Sequence, residues 1–439
     1  MNLSRYIRHY MKNPLVLGTF LLTASGVLSR IIGFFYRIFL SHTIGAEGIG
    51  IYQLIFPLLA LCSSFTTAGI QTAISKFVAE VSDDQNESRR RCYLAAGLLL
   101  SLSLSFLCAF YLYIQADFLA YHVIHEYRTA PLLRILAYSL PFGAIHSCIS
   151  GYYYGLKKAM IPSVSQLIEQ IVRVASVYVI YRVQMQEQIP VTPAIAVWGI
   201  VCGEISSALF SAAAVHFSKL RLWDFKNALP KIGRLSVPLT GNRVVLNLFT
   251  SIEAILIPLK LKEAGFSTSA ALSMFGVLTG MALPLILFPT SITNSLAVML
   301  LPAVSEASAH GERDRIKKAV SKSITYCMLF GFACTAFFFF GGNFLGMWLF
   351  QNEMSGNFIM QLGFICPFLY LTSTLAAILN GLGRTVQTFC YNLVSICIRL
   401  LFALFAIPAF GIKGYLWGLL ASQIILSVCL TFSLREYLK

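Results

Sequence analysis

The stretch SLPFGAIHSCISGYYYGLKKAMIPSVSQLIEQIVR, residues 139–173, decides the fold, because it returns 226 residues later as ICPFLYLTSTLAAILNGLGRTVQTFCYNLVSICIR, residues 365–399. The alignment needs no gap, and it matches at proline, glycine and basic positions, where chance agreement is uncommon in apolar sequence. A second block repeats at an offset of 219, so that Trp198 meets Trp417. The chain therefore has two similar halves. The matched positions are Pro141 with Pro367, Gly155 with Gly381, Lys158 with Arg384, and Arg173 with Arg399.

The composition is that of a membrane protein. The 439 residues are 57% hydrophobic and only 12% charged, with a mean hydropathy of +0.74. Soluble domains carry about 25% charged residues, and an apolar stretch of about 20 residues can cross the hydrocarbon core as a helix. We predict an all-α integral membrane protein with twelve transmembrane helices. The predicted spans are 14–41, 48–76, 92–115, 130–156, 160–182, 192–217, 234–259, 268–301, 319–345, 357–383, 386–409 and 413–434.

The predicted topology places two parallel six-helix repeats in the membrane. Six spans return the chain to its starting side, so both halves have the same orientation, a design found in transporters. We predict an N-lobe at 1–220 (spans 1–6) and a C-lobe at 221–439 (spans 7–12), joined by a basic cytoplasmic linker at about 217–235. With both termini in the cytoplasm, 22 of the 33 lysines and arginines lie in cytoplasmic segments and 5 in outer loops. This asymmetry follows the positive-inside rule and favours a multi-pass protein of the cell membrane.

The sequence shows no motif for catalysis. It contains neither a P-loop nor a GxSxG pattern, and its 11 cysteines and 7 histidines lack metal-ligand spacing. We predict no enzyme activity, no cofactor and no metal site. The net charge of +15 is explained by topology, so we also predict no nucleic-acid partner.

Polar stripes run along three of the apolar spans. Residues spaced by three and four lie on one helical face, and polar faces in a membrane turn away from lipid. We predict that the stripes face a central aqueous cavity between the halves. Helix packing at the glycines, or snorkelling of Arg30 or Arg37 to an interface, is the alternative. The stripes are Thr23, Gly26, Arg30, Gly33 and Arg37 on span 1, Ser64, Thr67, Gln71 and Ser75 on span 2, and Ser236, Thr240, Arg243, Asn247 and Thr250 on span 7.

The charges inside the spans are mostly cationic. Glu169 and Arg173 are four residues apart and should compensate each other. Arg399, the repeat counterpart of Arg173, has Ser395 where that partner would be. A cationic cavity suits an anionic substrate, and the guanidinium fork suits phosphate. We predict a substrate cavity formed by Arg30, Arg37, Arg243, Asn247, Thr250, Gln71 and Arg399, with Glu253 and Glu204 as unpaired carboxylates that could serve coupling.

The stretch SRIIGFFYRIFLSHTIGAEGIGIYQLIFPLLALCSSFTTAGIQTAISKFVAE, residues 29–80, resembles the opening of stage V sporulation protein B-like polysaccharide flippases. With MurJ and the MATE exporters, these form the MOP superfamily. The resemblance implies a V-shaped bundle that moves a lipid-linked sugar precursor from the inner to the outer leaflet, and it places Arg30 and Arg37 in the substrate cavity. MurJ and many sporulation-type members have fourteen helices, the last two forming a groove for the lipid tail, whereas twelve are predicted here. MurJ-like proteins also carry their second arginine where this chain has Tyr36.

The expected function is an alternating-access flippase or exporter. It would move a lipid-linked polysaccharide or peptidoglycan-type precursor across the cytoplasmic membrane, with membrane lipids and this anionic glycan precursor as its partners, and it would act as a monomer. One alternative is a MATE-type multidrug exporter coupled to Na⁺ or H⁺, which usually needs membrane carboxylates. Another is a non-transporting scaffold for envelope assembly, against which the polar stripes argue.

Overall fold

Helices form all the regular secondary structure in the described residues. The computed structural model describes residues 14–81, 87–215 and 222–438, and no strand occurs among them. The helices of the first repeat are α1 (Pro14–Gln53), α2 (Phe56–Glu80), α3 (Glu87–Ile114), α4 (Tyr127–Ala137), α5 (Ser139–Gly155), α6 (Met160–Gln186) and α7 (Ala194–Ala214). The helices of the second repeat are α8 (Leu222–Glu263), α9 (Thr268–Leu287), α10 (Thr290–Ala309), α11 (Arg313–Phe350), α12 (Glu353–Gly363), α13 (Cys366–Gly381), α14 (Thr385–Phe410) and α15 (Ile412–Leu438).

The helices confirm an all-α membrane protein with many spans. Among the described residues, 10 helices are long and apolar enough to cross a membrane, and the number reaches 12 if each of two bent helix pairs is one span. The pair α4–α5 bends by 47° and the pair α12–α13 by 57°. Both pairs fall at the same place in the two repeats, so the repeat seen in the sequence extends to the bends.

Two predicted spans differ from the helices. The prediction of one span over 268–301 is wrong in detail, because the chain breaks before Thr290 into α9 and α10. Pro289 stands at the break, where its ring fixes φ and it has no N–H to donate. The predicted span at 160–182 is present as α6, yet α6 is not among the 10 apolar helices. It carries Glu169, Arg173 and several glutamines, which makes it too polar for that group.

The described helices form two compact units that differ from the two repeats. The first unit holds the chain up to Tyr36 together with Leu54–Ser251, and the second holds Arg37–Gln53 together with the chain from Ile252 onward. Each unit therefore contains part of α1 and part of α8. The predicted lobes, 1–220 and 221–439, follow the sequence repeat and stay a prediction. Of the predicted linker at about 217–235, residues 217–221 lie outside the described residues, and α8 begins at Leu222.

The two repeats pack alike at their central glycines. A Cβ added at Gly155 would lie 2.6 Å from the carbonyl oxygen of Ser75, and a Cβ added at Gly381 would lie 2.7 Å from that of Leu301. The offset of 226 that relates the glycines also relates Ser75 to Leu301. The buried clusters around these contacts also correspond, with Val78, Leu94, Ile149 and Tyr152 in the first and Val304, Val320, Leu375 and Ile378 at the same offset in the second.

We expect Gly155→Ala and Gly381→Ala to lower stability to a similar extent. Each added methyl group would meet a backbone oxygen that cannot move as a side chain can, and overpacking of this kind costs about 1–3 kcal/mol. Gly233→Ala is the control, because nothing lies within 4 Å of its Cβ position and alanine favours a helix. Thermal unfolding of the detergent-purified protein measures the effect. Unchanged melting temperatures in both variants would show that the helices at these glycines can move apart and accept the methyl group without loss of stability.

Candidate functional site

The two arginines of span 1 fall in different units. Arg30 belongs to the first unit and is exposed. Arg37 belongs to the second unit and is half-buried, and its Nη1 donates a hydrogen bond of 3.4 Å to the carbonyl oxygen of Thr279 on α9. The spacing of these residues predicted one shared stripe. It carries no information about the change of unit, which occurs after Tyr36.

On α8, the polar stripe divides into an exposed arginine and a packed amide. Arg243 is exposed, and within the described residues it forms no ion pair. Asn247 donates hydrogen bonds to the hydroxyl of Ser64 on α2 and, at 3.4 Å, to the carbonyl oxygen of Ala60. Thr250 donates to the carbonyl oxygen of Asn247 in its own helix, at 3.0 Å. Asn247 therefore joins α8 to α2 inside the first unit, which is the packing role that polar residues often have between membrane helices.

A cavity of about 360 Å³ lies inside the first unit. Helix α2 contributes Thr66, Thr67 and Gln71 to its wall at and just after a π-helical turn over Ser64–Ala68. A π turn widens the helix locally and is frequent at functional sites. Among the predicted site residues, Gln71 and Glu204 therefore share one cavity wall.

Three ionisable side chains from successive helices meet at this cavity. His146 comes from α5, Glu169 from α6 and Glu204 from α7. The Nδ1 atom of His146 lies 3.8 Å from the Oε2 atom of Glu169 and 3.8 Å from the Oε2 atom of Glu204. One ligand atom from each of the three side chains lies within 4.8 Å of the other two, so a single cation could touch all three side chains.

The local pair predicted on α6 is confirmed. Arg173 Nη2 donates to the Oε1 atom of Glu169, one helical turn away. The other oxygen of Glu169 faces His146. Glu204 Oε2 is buried and accepts no hydrogen bond in the part of the chain that the structure describes. The cluster therefore holds one carboxylate with a cationic partner and one without.

A second buried cluster holds the remaining predicted residues. Glu253 on α8 is only 5% exposed, and its Oε1 atom lies 2.9 Å from Nε of Arg399 on α14. The hydroxyl of Tyr415 on α15 donates to the same oxygen at 2.7 Å. The expectation that Glu253 is unpaired is therefore wrong, and Arg399, which lacks the local partner that Arg173 has, pairs with Glu253 instead. The partner lies 146 positions away in sequence, out of reach of a rule based on helical spacing.

The predicted site residues thus divide between the units. The roles of these residues in substrate binding and coupling stay predictions. The first unit carries Arg30, Gln71, Glu204, Arg243, Asn247 and Thr250, and the second carries Arg37, Glu253 and Arg399. Sequence reasoning missed His146 and Tyr415. A comparison of the two repeats could have pointed to His146, because the two halves carry side chains of different charge type at its position.

Comparison with known proteins identifies the family. The family model described as polysaccharide biosynthesis protein matches residues 15–308, more than half of the chain. The chain belongs to this family. A curated relative, stage V sporulation protein B of Bacillus subtilis, is 27% identical over 95% of this chain and 83% of that protein. Another, the lipid II flippase MurJ of Bacillus subtilis, is 22% identical over 85% of this chain and 74% of that protein.

The fold of this family member is also found in solved transporters. An inward-facing multidrug resistance MATE family transporter of the MOP superfamily is 13% identical, covers 96% of this chain and 98% of its own, and superposes with a TM-score of 0.73. These matches confirm the prediction of a multi-pass MOP superfamily protein of the flippase and exporter class.

Proposed function

We propose that this polysaccharide biosynthesis family member moves an anionic, lipid-linked glycan precursor from the inner to the outer leaflet of the cytoplasmic membrane. Transport follows an alternating-access cycle, and both termini lie in the cytoplasm. The family description supports a glycan substrate. The name of one relative, a lipid II flippase, supports a substrate carried on a lipid.

The exposed arginines of the first unit carry this proposal. Arg30 and Arg243 are both exposed, although each stands in a long apolar helix. An arginine held at the centre of a lipid-facing helix costs about 2.5–3.5 kcal/mol, so such residues normally face water or a polar ligand. A pyrophosphate between lipid and sugar offers several anionic oxygens, which guanidinium groups bind through paired hydrogen bonds. The arginines would then offset part of the cost of bringing the headgroup into the membrane.

We expect Arg243→Ala to reduce outward movement of a lipid-linked pyrophosphoryl sugar by about tenfold or more, since a charge-assisted hydrogen bond contributes about 1.5–3 kcal/mol. Arg243→Lys should retain part of the activity, because it keeps the charge and loses the fork. The rate of movement is measured in proteoliposomes, as the rate at which the sugar becomes accessible to an enzyme added outside. Arg234→Ala is the matched control, because Arg234 is an exposed arginine on the same helix that lies within the predicted basic linker. Equal rates in all three variants would remove Arg243 from substrate binding.

A second candidate function is a cation-coupled multidrug exporter. The observation in its favour is the carboxylate cluster of Glu169 and Glu204 at the first-unit cavity. Efflux of a cationic dye from proteoliposomes distinguishes the two functions. Dye efflux without movement of the lipid-linked sugar would select the exporter.

A further inference from the structure

Helices α2 and α3 run antiparallel inside the first unit, and a series of contacts fixes their register. As the residue number falls along α2, it rises along α3 by a similar amount. Arg90 donates to the carbonyl oxygen of Val81 at 2.6 Å. A Cβ added at Gly97 would lie 2.3 Å from the side chain of Ile74, and Ser101 donates to the carbonyl oxygen of Thr66 at 2.7 Å.

The same register brings two cysteines together. Cys62 lies 12 residues before Ile74 on α2, and Cys108 lies 11 residues after Gly97 on α3. The two thiols form a hydrogen bond with each other. Both cysteines are free and half-buried. Two thiols in contact on packed neighbouring helices need only a small movement to reach the S–S bond length of about 2.05 Å.

The thiol pair opens onto an apolar groove of about 510 Å³ on the surface of the first unit. Phe110 and Tyr111 of α3 are both exposed at this groove, although α3 is one of the apolar helices that can cross a membrane. The groove therefore faces lipid, and charged reagents enter such a place only at a high cost in free energy. The residues that line the groove include Leu58, Cys62, Leu107, Cys108, Phe110 and Tyr111.

We propose that Cys62 and Cys108 form a redox site at which a membrane-soluble quinone creates a disulfide bond between α2 and α3. A quinone is an uncharged, flat acceptor of two electrons, and its ring would pack against the aromatic side chains of Phe110 and Tyr111. Each thiol loses its hydrogen and one S–S bond forms. The two electrons and two protons pass to the quinone, which leaves as a hydroquinone.

The second repeat keeps only half of this arrangement. The offset of 226 places Cys334 at the position of Cys108, but Phe288 at the position of Cys62. The thiol of Cys334 on α11 hydrogen-bonds to the hydroxyl of Tyr370, and so does the thiol of Cys366 on α13. A disulfide between these two cysteines would first have to displace that hydroxyl. The pair of Cys334 and Cys366 is therefore an internal control for the pair of Cys62 and Cys108.

The disulfide would hold α2 in place beside the first-unit cavity. Ser63 follows Cys62 directly and lines that cavity, and the π turn begins at the next residue, Ser64. In the proposed orientation, Cys62 and Cys108 lie toward the outer face of the membrane, on the side where disulfides persist. Since the bond prevents α2 and α3 from separating there, the oxidised protein would transport more slowly. This effect rests on the proposed function, whereas formation of the bond does not.

The experiment treats the full-length protein in liposomes with duroquinone, whose ring carbons are all substituted, so that it accepts electrons without forming a stable thiol adduct. Glutathione disulfide, a charged and water-soluble oxidant, provides the second arm. Free thiols are then blocked, the protein is denatured and digested, and the peptide that joins Cys62 to Cys108 is quantified by mass spectrometry. We expect this peptide to form at least about tenfold faster with duroquinone, because the groove excludes charged reagents.

Matched variants separate this site from general oxidation. Cys62→Ala should leave Cys108 as a free thiol after the same treatment, and Cys390→Ala, which removes an exposed cysteine of the second unit, should leave the yield of the bond unchanged. Cys334 and Cys366 should stay reduced. The site would be overturned by the absence of the bond with duroquinone, by equal rates in the two arms, or by an equal yield of a disulfide between Cys334 and Cys366.

The effect on transport is measured separately, as movement of the lipid-linked sugar before oxidation, after it, and after reduction with dithiothreitol. We expect oxidation to slow the native protein, dithiothreitol to restore it, and Cys62→Ala to be insensitive. An unchanged rate in the oxidised protein would overturn the effect on transport while leaving the redox site. No sugar movement by the reduced protein would instead refute the proposed function.

Discussion

Glu253→Ala should destabilise the second unit more than the removal of any surface charge. The substitution leaves the guanidinium of Arg399 without its carboxylate at a position where the arginine side chain is only 18% exposed. Breaking a buried ion pair by removing one partner costs about 3–5 kcal/mol, because a charge then stays buried without compensation. The hydrogen bond from Tyr415 to the same carboxylate is lost as well. We expect a large fall in melting temperature and in the yield of monodisperse protein.

The same helix offers a matched control. Glu263 at the end of α8 pairs with Lys260, but the glutamate side chain is 55% exposed. Exposed pairs of this kind contribute about 0–1 kcal/mol, so Glu263→Ala should leave the melting temperature nearly unchanged. A double variant, Glu253→Leu with Arg399→Met, should recover much of the loss because it removes both charges together. Equal melting temperatures for Glu253→Ala and Glu263→Ala would show that the cluster contributes nothing to stability.

An inside-negative membrane potential should strongly accelerate outward movement of the lipid-linked precursor. Each negative charge carried outward gains about 2.3 kcal/mol per 100 mV. By the relation of 1.4 kcal/mol per tenfold, this favours the outer leaflet about fiftyfold for each charge. In the proposed mechanism the exposed arginines would bind the headgroup without supplying energy, so we expect the potential to drive the step.

Proteoliposomes with an imposed potassium diffusion potential provide the measurement. The rate of sugar exposure should rise with an inside-negative potential and fall when the potential is reversed. Arg234→Ala should keep the full dependence, because that arginine lies outside the proposed binding residues. If the rate ignores the potential and follows only a sodium or proton gradient, a cation-coupled exporter mechanism replaces this one.

The sequence predicts the architecture well where the two halves can be compared. The alignment of the two halves pairs Gly155 with Gly381. In the structure, a Cβ added at either glycine would lie at nearly the same distance from a backbone oxygen. Such positions depend on backbone packing that both repeats share. The Glu169–Arg173 pair could also be predicted, since residues four apart on a helix are always neighbours.

Contacts between distant helices could not be predicted in the same way. The Glu253–Arg399 ion pair joins α8 to α14, and no periodicity within either helix reports that contact. His146 stands among small and aromatic residues on α5, where its spacing gives no hint of Glu169 or Glu204. The stripe of α1 was predicted as one face, yet Arg30 and Arg37 belong to different units, because spacing fixes a direction on a helix and not its neighbours.

The sharing of α1 and α8 between the two units bears on how the protein arose. Severing the chain near residue 220 would give two fragments, each lacking a helical segment that completes its own unit: Arg37–Gln53 would be missing from one, and 222–251 from the other. Such fragments should regain structure only when they are co-expressed. In both helices the N-terminal part belongs to the first unit and the C-terminal part to the second, so the exchange between the halves is not reciprocal. If the halves descend from the duplication of one gene, this exchange was therefore not inherited from a symmetric dimer and arose after the two copies were joined in one chain.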